Sequence, residues 1–318
     1  MPLSAMKLEG KVHYLSPDKV HYKWDNSLTP ALKVESGDIV TFDMREVSDG
    51  QVTPNSKAEN LLGKSTRPYY PLAGPVYVEG AEKGDTLEIS ILSLELKNWG
   101  WSAIFVGSGL LPEDFPSPYL KHWDLSNHET TELRPGVIVP LEPFCGTMGV
   151  APEEKGAFHP MPPTVSGGNM DIRHLTAGSV LLLPISIPGA LFSCGDCHAA
   201  QGDGEVCVTG IEAPMRATLR FNLRKRTQTP SPQFITKGPL TRKYDAQGYY
   251  ATTGIAPDLM NSTKMAVRNM IQYLTDKYRL SREEAYILCS VAADLKISEV
   301  VDRPNWIVSC YMPASIFI

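Results

Sequence analysis

Hydrophobic residues along the chain recur mostly at every second position, in short runs separated by Gly, Pro, Asn and Asp. Residues 11–15, 38–45, 76–79 and 102–106 carry the β-branched and aromatic side chains expected of strands. Residues 215–224 alternate best: Met215, Ala217, Leu219, Phe221 and Leu223 should face inward, with Arg216, Thr218, Arg220, Asn222 and Arg224 outward as a solvated face. In 85–96 the alternation of Leu87, Ile89 and Ile91 changes phase to Leu92, Leu94 and Leu96. A strand permits that through a bulge, or by burial on both faces where it bends from one sheet to another. The apolar run 180–194, broken by Pro184 and Pro188, reads as buried strand, short of the roughly 18 residues of a spanning helix.

Helical spacing emerges only late. Pro257 and Asp258 suit a first turn, followed by the stripe Met260, Val267, Ile271 and Leu274. Ser281 and Glu284 then form a capping box for a second helix, with Ala285, Leu288, Cys289 and Ala292 inside. Residues 306–312 read as a strand, and the apolar tail Ile316, Phe317 and Ile318 should be packed, against this chain or another subunit. The order predicts a mainly β fold with a C-terminal helical hairpin. We take 1–318 as a single domain, with two β-rich halves, about 1–140 and 141–318, sharing one core. Glycine turns at Ser36-Gly37-Asp38, Lys83-Gly84-Asp85 and Ala177-Gly178-Ser179 each feed a strand, as duplicated β-units would or as glycine turns do in any β-protein.

Composition narrows the partners. A chain of 318 residues that is 42% hydrophobic can fill a core. A formal charge of -5 gives no field attractive to nucleic acid or to an anionic membrane, so small neutral or cationic partners are expected. MPLSAMKLEGK, at the N-terminus, has no apolar export signal, which makes the cytoplasm the expected compartment and free thiols the expected state of the six cysteines.

Chemistry concentrates in Ser193 to Glu212, SCGDCHAAQGDGEVCVTGIE, with three cysteines, two aspartates, a histidine, four glycines and two glutamates. C-x-x-C-H is also a haem-attachment pattern, but here it lacks an export signal and runs into glycine turns. A redox pair would want a βαβ setting, and a zinc ribbon a second knuckle; neither is present. On an extended segment Asp196 and His198 share a face, as a metal chelate or as a hydrogen-bonded pair. Gly202 and Gly204 flank Asp203 and allow close approach of a ligand. Glu205, at the expected start of a strand, could serve as a general base or simply be solvated. Asn169 and Asp171 repeat the same-face spacing behind Gly167 and Gly168, which also suits an ordinary Asx loop.

The stretch ALFSCGDCHAAQGDGEVCVTGIE closely resembles the signature of the acetamidase/formamidase family. Further echoes are GPVYVEGAEKGDTLEISI, PFCGTMGVAP, GGNMDIRHLTAGSVLLLP, TTGIAPDLMNSTKMAVRNMIQYL and SREEAYILCSVAADLKISEVVDRPN, which together cover most of the chain. The resemblance implies a β-sandwich-like fold, a cytoplasmic homo-oligomer, hydrolysis of short aliphatic amides such as formamide or acetamide, and a divalent metal, zinc foremost. It implies site positions at Asn169, Asp171, Asp196, His198, Asp203 and Glu205. We expect Asp171, Asp196 and His198 to hold metal, Glu205 to act as general base, Asp203 and Glu142 to add carboxylates to catalysis, and Asn169 and Gln201 to bind substrate. An oxygen-rich set with one imidazole leaves zinc, calcium and manganese open. A cyclic-amide hydrolase and a metal-containing binding protein without catalysis are the alternatives.

Overall fold

The structure is a computed structural model that describes residues 10–62, 67–227, 229–241 and 243–318; residues 1–9, in which no export signal is expected, lie outside these. Two six-stranded sheets form its body. The first runs Val12–Leu15, Ile39–Met44, Met215–Arg224, Thr86–Leu96, Val180–Pro184 and Gln233–Ile235. The second runs Gly167–Asn169, Phe144–Gly149, Phe192–His198, Leu72–Val78 and Val20–His21, with Leu32–Val34 also pairing with Leu72–Val78.

Their facing side chains interdigitate as a sandwich. Phe192 of the second sheet meets Phe42 and Phe221 of the first, with ring centroids 6.2 and 5.2 Å apart. Cys194 and Cys197 lie in the same layer, their Sγ atoms 3.5 and 3.7 Å from Met44 Sδ. All six cysteines are free and buried, and burial pushes the Cys194 and Cys197 thiols well above their ordinary range. These two cysteines are core residues.

The 215–224 alternation holds from Met215 to Phe221, with Leu223 only half-buried. In Thr86–Leu96 the phase change is a bulge: Thr218 pairs with Ser93 and Leu219 with Ile91, which leaves Leu92 unpaired and exposed. The strand therefore stays in one sheet rather than linking two.

Helix α1, Leu259–Tyr278, starts at Asp258, whose side chain accepts from the Asn261 N–H. It buries Val267, Ile271 and Leu274, while Met260, in the first turn ahead of that face, is exposed. Helix α2, Arg282–Ala292, opens with the expected Ser281/Glu284 capping box and is buried from Ala285 onward. Both helices pack near a third sheet of Tyr249–Ala256, Trp306–Pro313 and Asp294–Glu299. Ile316 is buried and Phe317 stacks on Tyr278 of the same chain at 3.7 Å, whereas Ile318 is exposed. No helix among the described residues is long and apolar enough to cross a membrane.

Two of the glycine turns are built alike. Gly37 and Gly84 have φ of 100° and 95°, and in each turn the following aspartate accepts from the N–H three residues back, Glu35 to Asp38 and Glu82 to Asp85, both at 3.0 Å. Burial alone would raise these carboxyls. The Lys225 ammonium and the Arg226 and Glu82 N–H groups hold Asp85 below its ordinary range instead; the Glu35 N–H, His13 and the Lys11 N–H do the same for Asp38. A depressed folded-state pKa stabilises above the unfolded value of about 3.9, and that contribution fades as pH falls further. Asp85→Asn sets amide hydrogens against N–H donors, so it should lower stability by about 2 kcal/mol at pH 7. Urea denaturation should show that gap shrinking at pH 3; an equal gap at both pH values would remove the carboxylate from the explanation.

Candidate active site

The site is assembled where the alternation of the central strand fails. Cys194 and Cys197 both reach Met44 although they are three residues apart. The break lies at Asp196, whose φ of 52° is left-handed, and it turns Asp196 and His198 together away from the sandwich core. Gly146 lies across the ladder, between the pairs Cys145–Cys197 and Thr147–Gly195. A Cβ on Gly146 would sit 2.5 Å from Asp171 Oδ1 and 3.0 Å from Asp196 Oδ2, so glycine keeps the space where these carboxylates meet.

Asp171 follows the edge strand Gly167–Asn169, and its backbone is also left-handed, at φ 50°. Beyond His198 the chain loops through 201–210 and returns to pair with its own strand, Ala199 N–H to Ile211 O and Ile211 N–H to Ala200 O, both 2.8 Å. That return places Glu212 opposite His198. Glu205 lies in a turn within this loop, at φ 43°, not at the start of a strand. Positive φ is uncommon outside glycine, though aspartate tolerates it better than most, so three left-handed carboxylate residues in one site are backbone held by the surrounding structure.

Around His198 Nε2 stand Glu212 Oε2 at 3.2 Å, Asp196 Oδ1 at 3.4 Å and Glu205 Oε1 at 3.8 Å. Ligand atoms of Asp171, Asp196 and His198 lie within 4.8 Å of one another, and so, as a second triad, do those of His198, Glu205 and Glu212. The other ring nitrogen, Nδ1, is fixed 2.8 Å from Gln201 Oε1, and Gln201 Nε2 donates to Asp171 O at 2.9 Å. Asn169 Nδ2 donates to Asp171 Oδ2 at 2.9 Å, and Thr147 Oγ1 donates to Asn169 Oδ1 at 2.6 Å. Gly210 N–H donates to Glu212 Oε1 at 3.0 Å. These bonds fix the orientation of the group.

Its charges are unbalanced. Among the described residues no Lys or Arg pairs with Asp171, Asp196, Glu205 or Glu212. Burial, then Asp196, raises Asp171 to about 7. Burial likewise raises Glu212 to about 7 despite His198, and burial and Asp171 push Glu205 well above its ordinary range. His198 would be lowered by burial, but Glu212 and Asp196 hold it well above the usual imidazole range. Meanwhile Asp171 Oδ1, His198 Nε2 and Glu212 Oε2 are buried without a hydrogen-bond partner. Grouped carboxylate oxygens with one imidazole as their sole cationic neighbour, and three of these atoms without a hydrogen bond, offer more ligand atoms and negative charge than the imidazole balances, so the residues fit a divalent cation.

The cluster forms the floor of a cavity of about 620 Å³, to which Asn169, Asp196, Glu205 and Glu212 contribute. Glu205 is the most accessible of the acids paired with His198, its side chain 16% exposed. Tyr70 also faces in, and burial together with Asp196, Glu212 and Glu205 keeps its phenol protonated.

Of the residues expected at the site, Asn169, Asp171, Asp196, His198, Gln201 and Glu205 are brought together. Gln201 is buried, with one end of its amide on His198 Nδ1 and the other on Asp171 O, and it is not among the residues that line the cavity. Asp203 and Glu142 are elsewhere. They surround Arg173, which pairs with Asp294, lies 3.5 Å from Glu142 and attracts the Asp203 carboxylate. Asp203 N–H donates to Asp294 Oδ1 at 3.1 Å, and Leu295 N–H to Asp203 O at 3.0 Å. This second cluster clamps the base of the turn that carries Glu205. Glu212 was not singled out by sequence reasoning, because its place depends on the chain returning to its own strand.

Comparison with known proteins agrees with this picture. The acetamidase/formamidase family profile matches residues 9–157 and 154–318. A formamidase of Methylophilus methylotrophus is 26% identical over 94% of this chain and 89% of its own length. Among solved structures, the gamma lactamase from Delftia acidovorans superposes with a TM-score of 0.87 at 26% identity, covering 94% of this chain and 89% of that one. An acetamidase from Bacillus halodurans gives 0.67 at 30% identity, covering 94% and 96%. With the family profile matching almost the whole chain in two stretches, the chain belongs to the acetamidase/formamidase family of amide hydrolases.

Proposed function

We propose that the chain hydrolyses the C–N bond of linear amides, formamide and acetamide among them, to carboxylate and ammonia, with a divalent cation, zinc foremost, held by Asp171, Asp196, His198 and Glu212. The observation that carries this reading is a pair of ligand triads that share His198, Asp171–Asp196–His198 and His198–Glu205–Glu212, with Asp171 Oδ1, His198 Nε2 and Glu212 Oε2 buried without a hydrogen bond beside a cavity that Asp196, Glu205 and Glu212 line. Such an ion supplies Lewis acidity toward an amide carbonyl and toward water.

The chain's own residues do the rest. Glu205 takes the proton of the attacking water and returns it to the nitrogen, which must leave as ammonia. Asn169 spends one N–H on Asp171 and has a second to offer the developing oxyanion. Gln201 holds the imidazole in the tautomer that leaves Nε2 free to ligate. A second reading, opening of a cyclic amide, is favoured by the likeness to the gamma lactamase; ring opening would release no ammonia.

His198→Ala should lose bound metal and ammonia release together, and full metal content with wild-type turnover would remove His198 from the ligand set. Glu205→Gln should keep its metal but lose about 10²–10⁴-fold in kcat; an unaltered rate would show that Glu205 moves no proton. Gly146→Ala, whose methyl would collide with Asp171 Oδ1, should lower kcat/KM about 100-fold while circular dichroism stays that of the parent. Retained activity in that variant would mean the two aspartates need not meet there.

A further inference from the structure

The cavity above the carboxylate floor is much larger than the smallest amides require. It measures about 620 Å³. Acetamide, with four heavy atoms, fills on the order of 100 Å³ when each water-sized unit takes about 30 Å³. A ligand that leaves most of such a cavity to water gains little from its walls.

Apart from the acidic floor, those walls are largely apolar, with Arg67, Ser108, His159 and Thr209 among them. Trp101 backs the wall from a buried position, with its Nε1 committed to Glu46 Oε2 at 3.0 Å and so not available to a ligand. Phe105 stands edge-on to it at 6.3 Å, and Tyr70, itself edge-on to His159 at 6.1 Å, also lines the cavity. Around the mouth, Leu62, Val106 and Met161 are 57%, 51% and 46% exposed, which clusters three large exposed hydrophobic side chains at one opening. Apolar residues gathered at the rim of a concave site with a polar floor mark a ligand that is polar at one end and apolar over most of its length.

We propose that the preferred substrate is a primary carboxamide whose acyl group carries an aromatic ring or an alkyl chain of about six carbons. This deepens the amidase reading and rests on it. The carboxamide lies on the floor against Glu205 and Asn169, and the acyl group fills the space between Trp101, Phe105 and Tyr70 and emerges past Val106 and Met161. Each methylene buried there is worth about fourfold in transition-state binding, so discrimination accumulates with length.

The test is ammonia release by the purified full chain from formamide, acetamide, hexanamide and phenylacetamide. The two larger amides should exceed acetamide by about 30-fold or more in kcat/KM. Val106→Trp, an exchange at an exposed position that narrows the mouth, should cut the ratio of phenylacetamide to acetamide turnover about tenfold. Equal or higher kcat/KM for formamide or acetamide would overturn the inference while leaving the amidase reading intact. Release of ammonia from none of the four would sink the amidase reading, and the inference with it.

Discussion

Four carboxylates gathered round one buried imidazole are a charge problem that a folded chain must answer. Removing ionised groups from water costs several kcal/mol each unless they are paired, and here Asp171, Asp196, Glu205 and Glu212 face only His198. Much of the local architecture exists to hold them together regardless. Left-handed backbone at Asp171, Asp196 and Glu205 re-aims side chains that ordinary strand geometry would send elsewhere. Gly146 leaves room for two of the carboxylates, while Asn169, Thr147, Gln201 and the Gly210 N–H fix their orientations. The sandwich behind them, with Phe192 wedged between Phe42 and Phe221, supplies the rigidity this demands.

A second buried acidic group a few residues away shows the ordinary solution. Asp294, Glu142 and Asp203 are also crowded, but Arg173 stands among them and its guanidinium lies over Tyr244 at 4.9 Å. That group carries a guanidinium of its own to offset part of its negative charge and serves as a clamp. The two clusters share one loop, since Asp203 anchors it and Glu205, two residues later, opens into the cavity. One set of acids carries its cation in the sequence; the other leaves it to be bound.

The same contrast explains what could and could not be read from the sequence. Strands such as Met215–Arg224 and the capped start of α2 follow from local spacing, because alternation and capping are set by near neighbours. Asp196, His198 and Glu205 stood out by density within one stretch, and Asn169 and Asp171 by the glycines before them. Asp203 and Glu142 have weaker local signals, a glycine-flanked turn and a strand-end acid, and their tertiary position around Arg173 sets them apart from the site. Glu212 gave the opposite error: nothing about it is distinctive until the chain folds back and sets it against His198. The cavity wall was invisible for a related reason. Trp101 comes from a hairpin remote in sequence, joined to the site by reciprocal N–H to O bonds with Glu212 at 2.9 and 2.8 Å.

The proposed hydrolysis requires a cation that completes the carboxylate and imidazole cluster. Metal analysis of the purified protein before and after dialysis against a chelator, with ammonia release followed at each stage, addresses this most directly. The expected result is one divalent ion per chain, activity that disappears with it, and recovery when zinc is returned. Full turnover by protein stripped of metal would contradict the account.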